Sequence, residues 1–168
     1  MENENIQNNS IIDDVDSNEN DTSQQLSLVE RLIKMRQDWT NEVETLNADM
    51  KSLPTLDNLL NKVFVKRQNA VDMYYATMGV LQKQTRCYKK QYADLYNKLK
   101  MGTNGIRYTN EQSINMQIEA QLSDALGVIN ELKIFTDFML DTIKTIDGIQ
   151  YAISHKIKIY ELMNGLKY

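Results

Sequence analysis

What this sequence withholds narrows it before any motif is sought. It holds one proline, Pro54, and six glycines, so turn chemistry is scarce and the chain must be spent on few, long elements. Its single cysteine, Cys87, excludes an intramolecular disulfide and leaves no cysteine cluster for zinc, a pattern that suits a reducing cytoplasm. His155 is the one histidine. With so few such groups, no nucleophile, base and orienting residue fall at a known catalytic spacing. The expectation is a protein that is not an enzyme and uses no cofactor or metal. The first residues carry neither the basic start nor the apolar core of a signal peptide, and no run of about 18 apolar residues is present to span a membrane. The reading is a soluble cytoplasmic protein with no membrane partner.

The formal charge of −4 is spread unevenly. Glu2, Glu4, Asp13, Asp14, Asp16, Glu19 and Asp21 stand in residues 1–24 with no Lys or Arg, a net of −7, which leaves the rest of the chain at +3. Between Lys62 and Arg107, ten Lys and Arg face only Asp72 and Asp94, a net of +8. A basic block inside an acidic chain keeps nucleic acid among the candidate partners. Residues 1–24 offer only Ile6, Ile11, Ile12 and Val15 for burial, too little to offset the entropy of ordering them, and are expected to form a disordered acidic tail. Such a tail either solubilises the protein or mimics nucleic acid and competes for the basic block.

From Gln25 the pattern is helical. Val29, Leu32, Arg36, Trp39, Val43, Leu46 and Met50 recur at alternating steps of three and four, the spacing of a narrow apolar seam. Arg36 is the misfit, either a register-setting polar residue or a side chain that snorkels at the seam edge. This helix, about residues 25–52, stops before Pro54, which lacks an amide hydrogen and turns Leu53 away from helix. A second helix spans about residues 55–100, with Leu56, Leu60, Val63, Val71, Tyr74, Met78, Leu81, Tyr88, Tyr92, Leu95 and Leu99 along one stripe. At about 1.5 Å per residue it is roughly 65–70 Å long and needs an equally long partner. After a turn at about 101–109, a third helix over about 110–163 supplies it. Its stripe from Ile114 to Tyr160 is the strongest periodic signal in the chain. Gly127 weakens that helix locally, Asp147-Gly148 is a candidate kink, and Asn164-Gly165 reads as its stop. The fold expected is all-α: a long antiparallel helical hairpin with an additional N-terminal helix and the acidic tail.

The hairpin tip carries the candidate chemistry. Lys83, Arg86 and Lys90 share a helix face opposite Tyr88 and Tyr92, with Lys89, Lys98, Lys100 and Arg107 nearby. Tyr88 and Tyr92 are expected in the core, Tyr96 at its boundary near Lys89 and Lys100, and Tyr108 in the loop beside Arg107, the latter two better placed to stack on bases. Lys and Arg neutralise phosphates without reading sequence, and exposed aromatic rings stack on unpaired bases, which together make a non-specific single-strand site. The plainer alternative is a solvated face with Lys90, Asp94 and Lys98 paired at i,i+4. Gly102-Thr103-Asn104-Gly105 has the GxxG form with which KH domains clamp a backbone, but the strands of that fold are missing and it reads as a turn.

Over about residues 85–165 the chain resembles the UvsY-like recombination mediators of tailed bacteriophages. The likeness lies in the segment KKQYADLYNK, with Lys90, Asp94 and Tyr96, and in the terminal helix FMLDTIKTIDGIQYAISHKIKIYELMNG, with Ala152-Ile153, Tyr160 and Gly165. The family's tyrosine pair with a glycine close behind is here Leu95-Tyr96, with glycine only at Gly102. The resemblance implies an oligomeric mediator in the host cytoplasm. It would bind single-stranded DNA and help load a RecA-like recombinase in place of single-strand-binding protein. The rival expectation is a phage structural or adaptor coiled coil without nucleic acid.

Assembly follows from apolar width. The terminal helix carries Leu126, Val128, Ile134, Phe138 and Leu140 beyond its main stripe, more than one partner helix covers, so a homo-oligomer larger than a dimer is expected, with Phe138 and Ile153 at its interface.

Overall fold

The computed structural model describes residues 21–50, 56–102 and 110–165. Four helices make up the described chain: α1 (Asp21–Asp49), α2 (Leu56–Met101), α3 (Glu111–Gln121) and α4 (Ser123–Met163). The architecture is all-α, with the long α2 and α4 antiparallel and α1 laid against them at one end. The expected tail up to Asn20, the stop at Pro54 and the turn residues 103–109, with Arg107 and Tyr108, lie outside the described residues.

The α1 seam behaves as its spacing predicts. Leu32 and Leu46 are buried, and Val29, Trp39, Val43 and Met50 pack partly buried against the same core. Arg36, the misfit, reaches across to α4, where its Nη2 lies 3.2 Å from Glu131 Oε2. The seam position is thus satisfied by a partner on another helix. Helix α1 also starts at Asp21, four residues before the boundary drawn from composition at Gln25.

The main core joins Leu32 of α1, Leu59 and Val63 of α2, and Leu132, Phe135, Met139, Ile146 and Ile153 of α4. Phe135, Met139, Ile146 and Ile153 are all 0% exposed. Each such side chain contributes about 1.5–3 kcal/mol by leaving water. This corrects the view of α4 as a helix with one partner. Its buried side chains span an arc of roughly 160° at about 100° per residue, wide enough for α1 and α2 together. Val128 and Ile153, expected on an outer association surface, therefore face the chain's own core. Phe138 is half-buried and packs on that core, its ring centroid 6.3 Å from that of Phe135.

Ion pairs fasten the three helices at the base. Lys66 Nζ donates to Glu42 Oε1 at 2.8 Å, linking α2 to α1, and Arg67 pairs with Asp147 of α4. Lys156 Nζ donates to the Met50 carbonyl at 3.0 Å, closing the end of α1. These contacts set α1 parallel to α4, both running toward the base.

The terminal helix is not continuous. It breaks at Leu122, which takes φ −106 and ψ 14, and α4 restarts at Ser123 with Asp124 in its first turn. Helix runs unbroken through Gly127 and Asp147-Gly148, the kink candidate. Burial of Ile146 and Ile149 around the latter, with Asp147 held by Arg67, keeps it helical. Two of the stops use positive φ, as glycine allows: Gly102 (φ 86) after α2 and Gly165 (φ 71) after α4.

Candidate nucleic-acid interface

The bundle changes cross-section along its length. Around the main core three helices pack, but a second cluster of Ile114, Ile118 and Leu122 is closed only by Tyr88, Tyr92, Leu95, Tyr96 and Leu99 of α2. Among the described residues, α1 contributes nothing to it. The distal end is thus a two-helix arm, α3 against the last third of α2, and the Leu122 break marks where it begins.

Pairing of tyrosines with short apolar residues closes this arm. Tyr92 donates its hydroxyl to Asn115 Oδ1 at 2.8 Å, which satisfies the phenol where its ring is half-buried. Tyr88 and Tyr92 stand 6.2 Å apart in a tilted contact. At the start of α3, Asn110 caps the helix by accepting from the Gln112 amide at 2.9 Å. Glu111 beside it accepts from the Tyr96 hydroxyl at 3.3 Å.

Tyr96 is half-buried, as a boundary residue should be, but less available for stacking than the sequence reading expects. It is part of the arm's apolar cluster, its hydroxyl is engaged, and Lys100 Nζ sits 5.4 Å from the ring centroid in cation–π geometry. A base could stack there only by displacing Lys100. With Tyr108 outside the described residues, the described arm offers cations and no free aromatic platform.

Those cations are well placed. Lys83, Arg86, Lys89, Lys90, Lys98 and Lys100 are all exposed on the arm stretch of α2. Successive steps of about 100° spread them over the half of the helix that faces away from the tyrosines. Between Lys83 and Lys100 only Asp94 dilutes them. Among the described residues, Arg86, Lys89 and Lys90 form no ion pair, and their charge faces solvent. Cys87 is exposed on the same outer half, a placement that sequence reasoning did not use although helical spacing alone contains it. Also missed were Glu111 and Asn115, whose roles depend on where α3 packs.

At the opposite, three-helix end lies a groove of about 670 Å³ between α1 and α2, lined by Asn41, Glu42, Thr45, Leu46, Asp49, Asn61, Lys62, Val65 and Lys66. Glu42 and Lys66 neutralise each other within it, and no nucleophile with a base lines it. Among the described residues, no group of three or more His, Cys, Asp or Glu is gathered to hold a metal. No helix there is long and apolar enough to cross a membrane.

Apolar side chains also recur on the outside of α4. Leu126, Ile134, Leu140, Tyr151, Ile159, Leu162 and Met163 are exposed and fall within an arc of roughly 140°. Comparison with known proteins adds nothing to this geometry: no family model, no curated protein and no solved structure matches the chain.

Proposed function

We propose that this protein is a recombination mediator: an oligomer that holds single-stranded DNA on its basic arms, without reading sequence, and helps a RecA-like recombinase replace single-strand-binding protein. The observation that carries the reading is the exposure of six cations, Lys83 to Lys100, along the stretch of α2 whose apolar side chains, among the described residues, pack on α3 and Leu122 without α1. A backbone of phosphates binds such a face by releasing counterions, and the affinity gained needs no base contact. The resemblance of residues 85–165 to UvsY-like mediators points the same way.

One arm makes few phosphate contacts. The apolar outer face of α4 supports assembly of several copies, so that one strand meets several arms and the effective concentration of each is raised. That same face is the feature favouring the rival, a structural or adaptor coiled coil.

The deciding experiment is fluorescence anisotropy with a labelled oligothymidine across a salt series. Binding at about 50 mM salt that weakens steeply toward about 200 mM is expected. Absence of binding at the lower salt would leave the coiled-coil adaptor as the better reading. Loading itself is checked by recombinase ATP hydrolysis on DNA coated with single-strand-binding protein, which the mediator should accelerate.

A further inference from the structure

The aromatic platform that the arm lacks stands just before it on the same helix. Tyr75 of α2 is 68% exposed. At about 100° per residue, Tyr75, Gly79, Lys83, Arg86, Lys89 and Lys90 fall within an arc of roughly 120°. This stripe turns away from both neighbouring helices: Tyr75 lies about 180° from Lys66, which meets α1, and about 80° from Arg67, which meets α4. Tyr74, which packs on the main core, stands nearly perpendicular to the ring, at 5.2 Å between centroids and 76°. It braces Tyr75 without covering it.

Gly79 keeps that ring open. It is exposed inside an unbroken helix, where glycine is unfavourable, and the bundle gives it no packing reason, since a Cβ there would meet no atom within 4 Å. Side chains on a helix lean back over the preceding turn, so a long side chain at this position would reach toward Tyr75. Glycine leaves the side of the ring that faces the cations bare. From Tyr75, Lys83 is about 12 Å and Arg86 about 16 Å further along the axis, a span that a few nucleotides cover. In the other direction the exposed Asp72 repels phosphates, so the stripe ends at Tyr75.

We propose that Tyr75 stacks an unpaired base over the gap at Gly79, while the phosphates that follow run along Lys83, Arg86 and Lys90 toward the arm. The proposal rests on the single-strand reading above and deepens it. Stacking tolerates any base, because each has a π-face, and it excludes a duplex, whose bases are closed. Tyr75 thereby separates single strands from double strands on a surface whose cations alone do not.

The test compares the full chain with Tyr75→Ala, Tyr75→Phe and Gly79→Leu, circular dichroism confirming equal helicity. Each is titrated at about 50 mM salt with a short labelled oligothymidine and with an abasic strand of the same length, which offers the same phosphates and no bases. The unaltered chain should bind oligothymidine roughly tenfold tighter than the abasic strand. Tyr75→Ala and Gly79→Leu should lose that preference and keep their affinity for the abasic strand, whereas Tyr75→Phe should retain both. Gly79→Leu should do so with a raised thermal midpoint, since leucine favours helix over glycine, which a variant that merely damaged the fold would not show. The salt slope of Tyr75→Ala should match that of the unaltered chain, because no phosphate contact is lost. Equal affinity of the unaltered chain for the two strands, or an undiminished preference in Tyr75→Ala, overturns the stacking and leaves the phosphate reading standing. Binding of neither strand overturns both.

Discussion

Arg36 on α1 reaches Glu131 on α4 across 3.2 Å, with both side chains 28% exposed. A charged residue in an apolar seam is thereby tied to one register of α1 on the hairpin. Partial exposure limits what the pair is worth, because water still screens it. A double-mutant cycle with Arg36→Ala and Glu131→Ala, read by urea unfolding, should give a coupling of at most about 1 kcal/mol. A value above about 3 kcal/mol would show a buried pair instead.

Charge reversal of the arm tests the interface directly. The quadruple variant Lys83→Glu, Arg86→Glu, Lys89→Glu and Lys90→Glu should lose oligothymidine binding at about 50 mM salt while its helical circular dichroism stays intact. For the unaltered chain the slope of log affinity against log salt should approach about −0.7 for each phosphate neutralised. Undiminished binding by the variant would move the site off this face.

Association and folding separate on α4. Ile134 and Leu140 are 46% and 40% exposed, whereas Ile153 is fully buried. The pair Ile134→Glu and Leu140→Glu should lower the mass seen by light scattering and weaken binding to long strands, with helicity kept. Ile153→Glu should instead unfold the bundle, since an unpaired charge would enter the core. A native chain that is monomeric at micromolar concentration removes the assembly part of the proposal.

The arm should also be the less stable half. Tyr92→Phe deletes the hydroxyl that Asn115 accepts and should cost about 1 kcal/mol. Hydrogen exchange should show the loss in α3 and the end of α2, with the main core unaffected. Uniform acceleration over all four helices would contradict a separately closing arm.

How much of this was legible in the sequence can be argued residue by residue. Helix positions, the glycine at the end of α4 and the clustering of Lys and Arg along α2 are local, set by 3.6-residue periodicity, turn chemistry and simple order along the chain. Neighbours are not local. Whether Ile153 meets another copy or α1 and α2 depends on how many helices share α4, and a stripe on one helix does not record that. The same holds for Tyr96, whose spacing marks a boundary residue but whose hydroxyl and ring face were claimed by Glu111 and Lys100 only once α3 packed. The helix break fell at Leu122 rather than at Asp147-Gly148, because burial of Ile146 and Ile149 overrode a weak local propensity there. Short-range rules therefore determined the elements and the charge of the arm. Tertiary packing alone decided which faces remained open, since exposure is a property of what else lies within a few ångströms, and sequence distance does not measure it.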